Sequence, residues 1–290
     1  TKSEVEQWDG SSWTEIAELN TARYGVRGSG SSTASLVYGG NPNKALTESW
    51  NGTSWTEIAD LATAREAVGW GRQGSNTEAI AASGYLPGPG GYTAVTEEFS
   101  FPPPTSAILT EGDIFLSGGT TLKGFGKAAG ISAGSWASGG SMNTARRLTS
   151  GSGTQTSSNC ISGYVTAAVA QVENYDGTSW TEVAELNTSR YGTSAAGVDN
   201  TSSLVFGGYT TTNVANTESW NGSAWTEVND LNTARHYGGE AGIQGDALMF
   251  GGTTGSATGT TEKWNGSSWT EVSDLNTGRV ALAGTGQSGL

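Results

Sequence analysis

Apolar residues along this chain fall into short runs that end on glycine. The clearest are Ser35-Leu36-Val37-Tyr38-Gly39-Gly40, Ser203-Leu204-Val205-Phe206-Gly207-Gly208 and Ala247-Leu248-Met249-Phe250-Gly251-Gly252. Continuous apolar runs of this length, bounded by glycine, fit strands buried on both faces. A second pattern follows each run: Thr-Glu-Ser-Trp, an Asp-Gly or Asn-Gly pair, then Trp-Thr-Glu and a branched residue. Asn-Gly between two apolar segments is a strong hairpin signal, because the turn needs positive φ. With the Gly/Ala/Val stretch that precedes each run, such as Tyr24-Gly25-Val26, every period predicts four short strands and no helix.

The period itself is regular. The phrase Trp8-Asp9-Gly10-Ser11-Ser12-Trp13-Thr14-Glu15-Ile16 returns at Trp50 to Ile58, Tyr175 to Val183, Trp220 to Val228 and Trp264 to Val272. Its second tryptophan is followed ten positions later by arginine, pairing Trp13 with Arg23, Trp55 with Arg65, Trp180 with Arg190, Trp225 with Arg235 and Trp269 with Arg279. Trp136 and Arg146 keep that offset in a degenerate copy. Spacings between successive tryptophans are 42, 81, 44, 45 and 44, so the long one conceals an insertion. Four strands in about 44 residues is the arithmetic of a propeller blade.

Double glycine, an aromatic pair and a junction arginine, in that order, resemble the kelch repeat. The likeness covers nearly the whole chain and implies an all-β, six-bladed kelch-like β-propeller occupying residues 1–290 as one domain. Closure is expected from both chain ends: the first segment reads as the two outer strands of a blade, and the residues after Arg279 as its inner strand. Lacking an initial methionine, the sequence reads as part of something longer.

Composition narrows the functions. Fourteen basic against 27 acidic residues leave a net charge of −13, the wrong sign for neutralising phosphates, so nucleic acid and anionic membrane are not expected partners. One cysteine, Cys160, and one histidine, His236, provide neither a disulfide framework nor a zinc cluster; no metal or cofactor is expected. A single histidine also excludes the copper-radical site that some kelch propellers carry. The Asp-box of sialidases resembles Asp9 to Trp13 but has a residue between Asp and Gly that is absent here.

Strand order places the arginines at the junctions between blades, on the same face as the variable loops between the second and third strands. A ring of Arg23, Arg65, Arg146, Arg190, Arg235 and Arg279 framed by variable loops suggests recognition, and kelch proteins that grip acidic peptides by such arginines extend that role to it. The competing, stronger reading is structural. Every repeat carries a glutamate two residues before its first aromatic and five carry one two after the second tryptophan; an arginine fork that bridges these facing carboxylates would tie blades together. The paired tryptophans read as wedge-fillers between blades, while Trp70 and Tyr92, off the repeat, are candidates for stacking on sugars. Arg147, Arg27 and Arg72 also fall off the period and read as solvated.

Residues 101–135 interrupt the third repeat. After Pro102-Pro103-Pro104, a stiff spacer, a small hairpin is expected to dock through Ile114, Phe115 and Phe125, since a lone hairpin cannot bury its own apolar side chains. The phrase from Glu111 to Gly126 resembles hairpins of bacteriophage structural and tail-fibre proteins, and the tryptophan repeats are similar to kelch-type virion proteins of marine phages. The resemblance implies a non-enzymatic virion protein, located on the particle and extracellular, mediating attachment to a host-surface glycan or protein, with other virion proteins or copies of itself as neighbours. A glycan-cleaving enzyme of sialidase or depolymerase type and a kelch adaptor for an acidic peptide are the alternatives.

Overall fold

A computed structural model describes residues 2–42, 45–66, 69–86, 91–100, 114–117, 121–124 and 134–286. The chain is an all-β propeller. A two-stranded sheet, β1 (Val5–Trp8) and β2 (Trp13–Ile16), comes first. The first four-stranded sheet runs β3 (Arg27–Ser31), β4 (Ala34–Tyr38), β5 (Thr47–Trp50) and β6 (Trp55–Glu57) from the axis outward. In the second, β7 (Gly69–Ser75) and β8 (Glu78–Ala82) are followed by a short ribbon, β9 (Tyr85–Leu86) with β10 (Gly91–Tyr92), before β11 (Thr96–Ser100). The inserted hairpin, β12 (Ile114–Ser117) and β13 (Thr121–Gly124), then precedes the outer strand β14 (Ser135–Ser138).

Three regular sheets complete the set: β15 (Ser150–Thr154) to β18 (Trp180–Val183) through β16 (Ser157–Ile161) and β17 (Val172–Tyr175); β19 (Ser194–Asp199) to β22 (Trp225–Val228) through β20 (Ser202–Phe206) and β21 (Thr217–Trp220); and β23 (Gly239–Ile243) to β26 (Trp269–Val272) through β24 (Asp246–Phe250) and β25 (Thr261–Trp264). The four-stranded blades among the described residues therefore number five, where six were expected. The difference lies at the chain ends, where no described strand pairs with the free edge of β1.

Inner strands stand side by side around the axis, β3 by β7, β7 by β15, β15 by β19 and β19 by β23. Such close approach demands small residues. A Cβ on Gly28 would come 2.7 Å from the Thr285 methyl, and one on Gly284 would come 2.1 Å from the Glu240 carbonyl oxygen, so residues 280–286 thread the gap between β3 and β23. Buried hydroxyls satisfy one another between neighbours: Ser152 and Ser203 are 2.6 Å apart, Ser150 and Thr193 2.8 Å.

Outer strands build the wedges. The aromatic pair of each repeat sits at directly opposed positions, as Trp50 and Trp55 or Trp220 and Trp225 do, with ring centroids 5.2 Å apart in both cases. Second tryptophans reach back to the preceding blade, where the Trp55 indole donates to the Ala17 carbonyl at 3.0 Å and Trp225 to that of Ala184 at 3.1 Å. Cores accordingly lie between blades; one joins Ile161 and Val172 to Ala195, Val205 and Trp220. The connecting turn is a four-residue loop in which the Asn or Asp side chain accepts two backbone N–H groups, for example Asn51 Oδ1 from Thr53 and Ser54 at 2.9 Å each, with the following glycine at positive φ.

Candidate functional site

The six junction arginines lie beneath the surface. Arg65 and Arg146 pair with Glu97 and Glu173 at 2.5 and 2.6 Å, Arg190 with Glu218 at 3.0 Å, and Arg23, Arg235 and Arg279 with Glu48, Glu262 and Glu6. Five of the six arginine side chains have no exposed surface, and that of Arg279 keeps 10%. Each arginine follows the outer strand of one sheet and holds the third strand of the next, so the pairs are ties between blades. Burial pulls the Arg65 and Arg190 guanidinium groups below their usual range, and the facing Glu97 and Glu218 oppose that.

An asparagine three residues before the arginine completes the tie. Asn187 donates its backbone N–H and its amide to Glu218 at 2.8 and 2.7 Å, and Asn232 treats Glu262 alike. In the five repeats that have a second glutamate it does face the first across the hairpin, as Glu227 faces Glu218, whereas Glu97 of the degenerate copy faces Ser138. The arginine does not bridge the two glutamates: Glu15, Glu57, Glu182, Glu227 and Glu271 are exposed and form no ion pair among the described residues.

Directly above the ties, on the face of the variable loops, is a feature that the repeat alone did not reveal. The residue after the junction arginine and the residue after the Gly-Gly or Ser-Gly pair that ends the second strand bridge each other in antiparallel fashion: Arg147 with Tyr164, Tyr191 with Tyr209, His236 with Thr253. In these junctions the positions are largely aromatic. Rings touch in sequence from Tyr164 to Tyr191 at 5.3 Å, Tyr191 to Tyr209 at 5.5 Å, Tyr209 to His236 at 5.0 Å and His236 to Tyr237 at 4.3 Å. Tyr85 and Tyr92 extend the arc from the β9–β10 ribbon. All of these residues are half-buried, with edges open to solvent.

Arg147 is set among them. Its guanidinium carbon lies 5.2 Å from the centre of the Tyr92 ring, 5.3 Å from Tyr164 and 5.8 Å from Tyr85, and no carboxylate pairs with it among the described residues. The expectation of a solvated Arg147 is therefore corrected, because the tyrosines cover its stem and stack on its charge. Burial raises the Tyr237 hydroxyl to about 12 and raises Tyr191 as well, so both stay protonated donors near neutrality. His236 is pulled down by burial, and its Nδ1–H donates to Asn213 Oδ1 at 2.6 Å. That partner is an amide, where a Ser-His-Asp arrangement would place a carboxylate.

The remaining candidates are scattered. Tyr92 belongs to the arc. Trp70 lies on β7 opposite Ala81, an inner-strand position, and its side chain is outside the described residues. Ile114 and Phe115 lie on β12, which pairs antiparallel with β13; their side chains and the whole of Phe125, and with them the expected docking, lie outside the described residues. Cys160 is buried, which pushes its thiol up and leaves it unreactive. Among the described residues no His, Cys, Asp and Glu group could hold a metal, and no helix is long and apolar enough to cross a membrane. Sequence reasoning missed Tyr85, Tyr164, Tyr191 and Tyr209; the signal available was a tyrosine directly after the glycine that ends the second strand, at Tyr85, Tyr164 and Tyr209, and one directly after the junction arginine, at Tyr191. The chain matches no protein-family model and no curated protein.

Proposed function

We propose that the protein is a non-enzymatic attachment propeller that binds a surface glycan across the tyrosine arc. The observation that supports this is Arg147: a cation held over three tyrosine rings, without an ion-pair partner among the described residues, in a row of half-exposed aromatics. Tyrosine faces stack on the C–H faces of pyranose rings, their hydroxyls donate to sugar oxygens, and an arginine fork takes a carboxylate or sulfate bidentately. A short acidic peptide would use only the arginine. The arc reaches well beyond it, which favours an extended sugar chain bearing acidic substituents.

The wider setting rests on the resemblance of the repeats. We read the ring as a six-position kelch-like propeller carried on a bacteriophage particle, one face turned to other virion proteins and the loop face to the host. Titrating the protein with acidic host polysaccharide by calorimetry tests the binding claim. Wild-type protein should bind, and Arg147→Ala and Tyr191→Ala should each weaken binding at least tenfold while lowering Tm by no more than a few degrees. Equal affinity in all three proteins, or release of new reducing ends, overturns the reading. Sedimentation with purified particles tests the setting, and a wholly free pool would end it.

A further inference from the structure

Among the described residues the sixth position of the ring carries only part of a sheet. Its outer strands, β1 and β2, are in place, and residues 280–286 lie where an inner strand belongs, the Gly286 carbonyl accepting from Gly242 N–H at 3.1 Å and Gly25 N–H donating to the Ala281 carbonyl at 3.1 Å. Elsewhere a second inner strand joins these two elements: β20, for instance, pairs β19 on one side and β21 on the other. Between β1 and residues 280–286 there is instead a cavity of about 760 Å³, lined by Val5, Trp8, Trp13, Val37, Leu248 and Leu282 among others.

One indole marks what is absent from that space. In complete blades the first tryptophan donates to the turn between the two inner strands, Trp50 to the Ser32 carbonyl and Trp220 to that of Asn200, both at 3.0 Å. Trp8 holds the same place in the repeat, and its Nε1 is buried with no acceptor among the described residues. A buried donor without a partner costs about 1–3 kcal/mol, and an open strand edge beside an apolar trough invites pairing.

We propose that this slot accepts one extended polypeptide strand with the pattern of β4, β20 and β24: a small polar residue, three or four consecutive apolar residues, then two glycines, preceded by a turn whose carbonyl meets Trp8. The strand adds by main-chain hydrogen bonding to the free edge of β1, while its apolar residues fill the trough from both faces. The repeat that builds the other five blades defines the chemistry of this occupant, since their second inner strands meet the same neighbours.

A synthetic peptide with the sequence of Asn200–Tyr209 tests this on the unmodified 290-residue chain. At saturation it should raise Tm by roughly 5 °C, as expected for a ligand well above its Kd, and shift the tryptophan emission as Trp8 and Trp13 lose water. A peptide with proline in place of Val205, which cannot pair in a central strand, should do neither. Absence of any shift at millimolar peptide overturns the proposal. So does an equal response to the proline peptide, which would mean unspecific apolar binding, or a protein that is already a dimer with its slot filled, which would make a second copy the occupant. The glycan titration reads a different face, so the two results are independent.

Discussion

Arg146 and Arg147 are neighbours in sequence and belong to different regions of the molecule. Arg146 points into the junction between blades, where Glu173 meets it 2.6 Å away and the Cys160 carbonyl accepts from it at 3.1 Å. Arg147 points out onto the loop face among three tyrosines. The junction repeats the same tie around the ring, whereas the loop face differs at every blade: Tyr24 stands opposite Asn41, and Glu66 opposite Tyr85. Residues that must fit a neighbour copied from the same repeat are held constant, and those that face water are not.

Glu173→Ala should break this contrast most severely. It leaves the Arg146 guanidinium buried and unpaired, and loss of one partner from such a pair costs about 3–5 kcal/mol; urea unfolding should show that loss. Arg147→Ala removes an exposed-edge cation–π contact, for which about 0.5–2 kcal/mol is expected. Similar losses for the two would mean that Arg147 too is a tie, and would take the arc out of the binding proposal.

How far the two regions could be read from sequence follows the same division. The tie was legible because its members recur at fixed offsets: arginine ten residues after the second tryptophan, glutamate two before the first. Which glutamate the arginine holds was not legible, because opposed positions such as Glu218 and Glu227 are equivalent along the strand and differ only in which one the adjacent blade covers. The arc escaped notice because its members arise on separate stretches, Tyr191 and Tyr209 for example, joined only by a bridge between them. Five complete blades were legible; the sixth was not, since a spacing that continues past Arg279 says nothing of whether the next strand is paired.

One junction lets the tie be improved rather than broken. Where the others carry Asn20, Asn143, Asn187, Asn232 and Asn276, the second has Ala62, whose backbone N–H still donates to Glu97 at 2.6 Å. The missing side chain forgoes the amide bond to that glutamate and the bond to the carbonyl of the second tryptophan, which Asn143 makes to Trp180 at 3.1 Å. Ala62→Asn should therefore stabilise the protein by about 0.5–1.5 kcal/mol. No gain in urea midpoint would show that the arginine–glutamate pair alone supplies the tie.

The smallest effect concerns the outer turns, where both regions meet solvent. Asp9 accepts the backbone N–H groups of Ser11 and Ser12 at 2.8 Å each, and these bonds hold its carboxyl down at about 2. Because the folded value lies below the unfolded one of 3.8, the turn's extra stability is complete above about pH 4 and lost as pH falls towards 2. Asparagine takes the same place in three sister turns, at Asn51, Asn221 and Asn265, and accepts the same pair of N–H groups without titrating. Asp9→Asn should leave Tm nearly unchanged at pH 7 and become the more stable protein between pH 4 and 2, as measured by paired thermal melts. Parallel curves across that range would mean that the glycine φ, and not the carboxylate, sets the turn.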